Sequence, residues 1–329
     1  MTVALDRLPR ATPRASERVR PIMVRAGETS STADGSCAAR ALSARIGTPR
    51  NPDNLANRLL GPAWQRTLFA LGQCFPWVLR AAWRTYHDKL PGIIEAHLAR
   101  TLFYDEAVRE ALEPNGGGCE QYVILGAGLD SRAYRFAEVL KTSNIKVFEV
   151  DFAATSRNKR ARLSKARIEC AHVTYVECDF LKEKFYESLL SHGFDPKKRT
   201  IVTWEGVTMY LNDSVVRETC ELVATFAPGS TIIYDYVLPA FFENPSSLPG
   251  AKKHNEFVLK TGEPYTFGHV FEEYPKFIES CGLRVKTNIS ASELDARYLA
   301  ELQTTSCCCS LPRERHVTPW YCIGQAIVS

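Results

Sequence analysis

The stretch Tyr122 to Phe136, YVILGAGLDSRAYRF, restricts the possible folds more than any other part of the chain. Tyr122, Val123, Ile124 and Leu125 form a short apolar run, the pattern of a strand buried on both faces. Gly126-Ala127-Gly128 breaks it, and Asp130 stands where a helix N-cap would be. Ala133, Tyr134, Phe136, Ala137 and Leu140 continue at helical spacing. Strand, glycine turn and helix are the opening unit of a nucleotide-binding α/β fold. The glycines let a ligand approach the backbone, and the helix N-terminus would offer it free N–H groups.

The loop discriminates between ligands. A dinucleotide fingerprint would place a third glycine where Ser131 stands. Asp130 would also compete with a pyrophosphate for one positive helix end. S-Adenosylmethionine carries a sulfonium and an ammonium, so a nearby acid suits it. The loop therefore favours S-adenosylmethionine over NAD.

Further strands read at Lys146–Val150, Val173–Glu177, Thr200–Trp204, Thr231–Tyr236, Leu283–Thr287 and Trp320–Val328, with helices between them. Ligands of open α/β sheets lie beyond the carboxyl ends of the strands. Asp130, Asp151, Asp179 and Glu205 all fall at such ends, and Arg100 could join them from outside. An acid about twenty residues past the glycines is where ribose hydroxyls are held, and both Glu149 and Asp151 qualify by spacing. Asp179 followed by Phe180 could accept from an adenine amino group while the ring covers the base, or Asp179 could cap a helix.

Outside this unit the chain is uneven. Residues 1–36 are arginine-rich, with several prolines and no apolar period, and read as a disordered arm or an organelle transit peptide. Residues 37–329 form one domain, opened by a helical cap at 37–115 whose middle is rich in aromatics. Residues 237–270 hold four prolines (Pro239, Pro245, Pro249 and Pro264) and are too long for a plain connection, so they read as a lid. The net charge of +4 does not indicate nucleic-acid binding. No apolar run reaches the roughly 18 residues of a membrane-crossing helix. The eleven cysteines suit neither a disulfide framework nor zinc spacing, and no metal is expected. A reducing, cytoplasmic setting follows, or an organellar one if the arm is a transit peptide.

LGAGLDSRAYR, FEVDF, ECDF and WEGVTMYL, in this order, resemble the leucine carboxyl methyltransferase family, from about Ala38 to Ser329. The resemblance implies an S-adenosyl-L-methionine-dependent O-methyltransferase with a doubly wound, Rossmann-like, seven-stranded class I sheet. It assigns Arg100, in HLARTLFYDEAV, to the methionine carboxylate and Gly126 to the methionine end. It assigns Asp151 to the ribose, Asp179 and Phe180 to adenine, and Glu205 to the methionine ammonium. Tyr210 matches a tyrosine beside the acceptor. The motifs are closer to a broad bacterial and secondary-metabolism branch than to the branch that methylates a phosphatase C-terminus, which carries Cys where Gly206 stands here.

Methyl transfer is an in-line displacement, served mainly by proximity and orientation. A carboxylate, with a pKa of roughly 4, needs no base, whereas a phenol near 10 does. No histidine sits in a strand-end motif, and only His269, beside the lid, merits watching. A carboxylate of a small molecule or peptide C-terminus is therefore the expected acceptor. The alternatives are methylation of a hydroxyl, a cofactor-binding protein without catalysis, or an NAD-type oxidoreductase.

Overall fold

A computed structural model describes residues 31–46, 50–113, 118–179, 185–300 and 315–329. Seven strands form one sheet: β1 (Gln121–Leu125), β2 (Lys146–Asp151), β3 (Val173–Glu177), β4 (Thr200–Trp204), β5 (Thr231–Val237), β6 (Leu283–Ile289) and β7 (Tyr321–Val328). Their order is β3-β2-β1-β4-β5-β7-β6. The first five are parallel, and β7 runs antiparallel to both β5 and β6. This is the doubly wound seven-stranded class I methyltransferase sheet anticipated above. Among the described residues no helix is long and apolar enough to cross a membrane.

Four helices precede the sheet: α1 (Ser31–Arg45), α2 (Ala63–Cys74), α3 (Pro76–Lys89) and α4 (Ile93–Leu112). Helices α5 (Arg132–Arg135), α6 (Ala137–Thr142), α7 (Ala153–Lys165), α8 (Phe185–Ser191) and α9 (Asp213–Val223) connect strands. Helices α10 (Ala240–Glu243) and α11 (Ala251–Lys260) fall in the expected lid, and α12 (Tyr274–Ser280) and α13 (Ala291–Tyr298) flank β6. The arm boundary near Ser36 needs correction, because Ser31–Ser36 are the first turns of α1. Ala38, Ala39, Ala41 and Leu42 bury that helix in the core, and burial of one face stabilises helices better than propensity does. Residues 1–30, Phe180, and the Cys307–Cys309 run lie outside the described residues.

Side chains of β1 alternate between the two faces of the sheet, as a strand's period of two requires. Tyr122 and Ile124 face the core shared with α1 and α4; Val123 and Leu125 face the core shared with α8, α9 and α12. Both faces are covered, which is why β1 and β4 are buried at every position. Helix α4 is buried nearly all round, as a helix apolar on most sides must be, and its polar residues are correspondingly paired. Glu95, fully buried, meets Arg315 Nε at 2.7 Å. Strand order reverses between β1 and β4, so Gly126 and Glu205, each just past its strand, stand side by side at the switch point.

Candidate active site

A cavity of about 270 Å³ opens at the carboxyl ends of β1, β2 and β4 and extends beneath the expected lid. Gly126 sits at its floor with φ +64°, and a Cβ there would fall 2.4 Å from Val207 Cγ2. Only glycine combines that backbone conformation with that contact.

The helix after this turn differs from expectation. It is two short pieces, α5 and α6, and Asp130 Oδ1 accepts from Arg132 N at 2.7 Å. An aspartate bonding two residues ahead satisfies the N–H that the sequence reading left for a ligand. The second Asp130 oxygen pairs with Arg132 Nη1 at 2.8 Å. Asp130 therefore fastens the loop to Arg132.

Arg132 belongs to a buried charge network under the cavity. Glu205 Oε1 lies 2.8 Å from Arg100 Nε, and Oε2 accepts from Arg132 Nη1. Arg132 Nε reaches Asp105 Oδ1 at 2.9 Å, and Asp105 also takes a bidentate fork from Arg135, at 2.6 and 2.8 Å. Arg100 Nη1 lies 3.4 Å from Asp235 Oδ2 on β5, while Arg40 Nε meets Asp53 Oδ2 at 2.8 Å. Asp235 further accepts from Gly206 N at 2.7 Å and from the Tyr321 hydroxyl. Burial alone would push the Glu205 carboxyl up, but Arg132, Arg100 and Arg40 outweigh it and hold it well below the usual range. Burial raises Asp235, with Glu205 adding to the rise and Arg100 opposing it. Five arginines (Arg40, Arg100, Arg109, Arg132, Arg135) pair with five acids (Asp53, Asp105, Asp130, Glu205, Asp235), so the network balances its charge.

The two acids that spacing left open lie two residues apart on β2, on the same face of the sheet, and are told apart by their partners. Asp151 lines the cavity, with Oδ1 accepting from Phe152 N at 2.7 Å and Oδ2 from Gly128 N. Burial pushes its carboxyl up to about 6, because those two N–H groups only partly offset it. Glu149, two residues earlier, is buried in a pair with Lys159 Nζ at 2.7 Å and is not part of the cavity wall. Asp179 is half-buried two residues past β3 and is not part of the cavity wall. Its neighbour Phe180 is outside the described residues.

Tyr210 lines the far side, its ring edge-on to Tyr265 with centroids 5.0 Å apart. Burial pushes its phenol well above the ordinary value, and its hydroxyl interacts with those of Tyr265 and Thr32. His269 stands apart from the cavity, packed on Tyr274 and Phe277 at 5.3 Å. The histidines that do line the cavity are His97 and His254, which sequence reasoning passed over. His97 lies one turn before Arg100, and residues three apart share a helix face, so Arg100 was the signal for it. Asp235, Arg132 and Ser36, which accepts from Arg100 Nη2 at 3.0 Å, were also missed. Only Asp235 left a trace, as an acid inside the apolar strand TIIYDYV.

These residues fit S-adenosylmethionine. Arg100 Nε is buried and, despite its closeness to Glu205, has no well-directed hydrogen bond. A methionine carboxylate would supply one. Glu205 and Asp151 both line the cavity, and Asp151 keeps lone pairs for ribose hydroxyls.

Comparison with known proteins agrees. The leucine carboxyl methyltransferase model matches residues 33–224. YktD of Bacillus subtilis, named as an S-adenosyl-L-methionine-dependent methyltransferase, is 31% identical over 188 residues, 56% of this chain and 60% of that protein. This chain thus spans less than two thirds of that relative's length. The similarly named Franean1_4929 of Parafrankia is 30% identical over 222 residues, 67% of this chain and 68% of that one. A Thermobifida fusca protein described as a methyltransferase superposes with TM-score 0.52 at 17% identity, covering 77% of this chain and 88% of its own. A DUF574-family protein from Streptomyces avermitilis gives TM-score 0.54 at 12% identity, over 94% and 100%. At such identities these two structures establish the fold alone. The family model, which matches more than half of the residues, goes further: the chain belongs to the leucine carboxyl methyltransferase family.

Proposed function

We propose that this chain uses S-adenosyl-L-methionine as its cofactor and methylates an oxygen atom of a small molecule seated beneath the lid. The observation that carries this reading is the mixed lining of the cavity. It brings the glycine turn, Asp151, Glu205 and Arg100 together with an apolar and aromatic wall of Tyr210, Tyr265, Phe257, Trp320 and Ile93. When bound, the cofactor supplies an electrophilic methyl group on a sulfonium. Arg100 holds its carboxylate, Glu205 its ammonium, Gly126 lies along its methionine end, and Asp151 takes its ribose. Asp179 and Phe180 take the adenine on the strength of the family resemblance. Tyr210 stays protonated at neutral pH and serves as a hydrogen-bond donor that positions the acceptor.

Arg100→Lys should raise the Kd for S-adenosylmethionine at least tenfold, because a lysine cannot make the forked contact with a carboxylate. The helix should stay folded, since the two residues have similar helix propensity. A lysine variant with wild-type affinity in calorimetry would remove Arg100 from the cofactor site.

The family description supports a carboxylate as the accepting oxygen, and a hydroxyl is the second reading. Incubation with methyl-labelled cofactor and a small-molecule extract separates them. An ester releases labelled methanol in mild alkali; an ether keeps its label in alkali and loses it to hydriodic acid. Label resistant to both treatments would sit on nitrogen or carbon and would overturn oxygen methylation.

A further inference from the structure

His97 and His254 enter the cavity from separate elements, α4 and α11, and neither is used by the roles above. His97 Nδ1 lies 2.7 Å from the Ile93 carbonyl one turn back. A carbonyl only accepts, so Nδ1 carries the proton and Nε2 is left with its lone pair. Nε2 has no hydrogen-bond partner among the described residues, and His97 lines the cavity. His254 is 5% exposed, its Nδ1 is buried without a partner, and its ring packs edge-on to Phe241 and Trp320.

Resting on methyl transfer to oxygen, we propose that the acceptor is a hydroxyl on a largely apolar molecule and that His97 Nε2 is its general base. Among the described residues two arginines line the cavity: Arg40 is held by Asp53, Ser36 and the Leu129 carbonyl, and Arg100, paired with Glu205 and Asp235, is assigned above to the methionine carboxylate. A second carboxylate on the apolar side would therefore lack a counter-cation. A hydroxyl can donate to the bare Nε2 of His97.

The proton balance closes within the chain. As the acceptor oxygen bonds to the methyl carbon, its O–H bond breaks and the proton moves to Nε2. The carbon–sulfur bond that breaks leaves its electron pair on sulfur. His97 takes up the positive charge that sulfur loses, so no net charge is created in a low-dielectric space. The proton then leaves to solvent.

The groups that govern His97 are Arg100 on its own helix, Arg40 from α1 and His254 from α11. Burial is the largest influence and, with those neighbours, keeps the ring neutral at physiological pH; burial likewise brings His254 down to about 4.

The test uses the full chain, labelled with ¹⁵N in histidine, and His97→Gln for assignment. Nitrogen NMR should show protonated Nδ1 and bare Nε2 for His97, unchanged from pH 8 to pH 6. The catalytic arm uses 2-naphthol and 2-naphthoic acid as probes with methyl-labelled cofactor. The naphthol should be methylated to an alkali-stable product, and His97→Gln should slow this about a hundredfold while calorimetry finds its affinity for S-adenosylmethionine within about twofold of wild type. Three results would overturn the proposal: the opposite tautomer, preference for the naphthoate, or an unslowed variant. Absence of cofactor binding by the wild-type chain would instead strike the methyltransferase reading itself.

Discussion

Asp105→Ala should lower stability by about 3–5 kcal/mol, the cost of breaking a buried ion pair by removing one partner. Asp105 is fully buried and holds Arg132 through Nε and Arg135 through both terminal nitrogens. Its loss leaves two guanidinium groups short of an anion in a region water does not reach. Urea unfolding measures the effect as a lower midpoint at unchanged slope. Glu110→Ala is the control, since its 2.7 Å pair with Lys286 is half-exposed and such pairs contribute at most about 1 kcal/mol. An Asp105 variant as mildly affected as the Glu110 variant would mean the network does not hold the fold. Cofactor affinity should fall with it, because Arg132 orients Glu205.

The second large effect is on binding. Asp151→Ala should weaken S-adenosylmethionine by about 1.5–3 kcal/mol, or roughly ten- to 150-fold, as expected for charge-assisted bonds to ribose hydroxyls. The wild-type Kd should also rise below about pH 6. Burial has raised the Asp151 carboxyl to that range, and once protonated it accepts poorly from a hydroxyl. Glu149→Gln breaks the pair with Lys159 and should cost stability with little change in Kd. If affinity instead followed Glu149 and ignored Asp151, the ribose would belong to Glu149.

Much of this was legible in the chain because local pattern and global fold agree. β1, β3 and β4 are short and apolar or β-branched, bounded by turn residues, and their ends carry acids. α12 carries its own boundary signals, Pro275 in its first turn and Gly282 beyond its end. The helix after the glycine turn was not, because Asp130 bonds Arg132 N and the chain turns again at Phe136. Asp151 and Glu205, both marked by strand ends, line the cavity, whereas Asp179, marked in the same way, does not. Arg132, Arg40 and Asp53 could not be found from spacing, because Arg132 reaches Glu205 73 residues away, Arg40 the Leu129 carbonyl 89 away and Asp53 Ser131 78 away, and only folding joins them. His97 carries no motif, only a shared helix face with Arg100.

The central claim is that the cavity at the carboxyl ends of β1, β2 and β4 binds S-adenosylmethionine. Isothermal titration calorimetry of the wild-type chain tests it directly, with NAD as the comparison ligand. The account predicts one site for S-adenosylmethionine with a Kd near the micromolar range, about −8 kcal/mol, and no heat from NAD. No measurable heat from S-adenosylmethionine, or saturable binding of NAD instead, would contradict it.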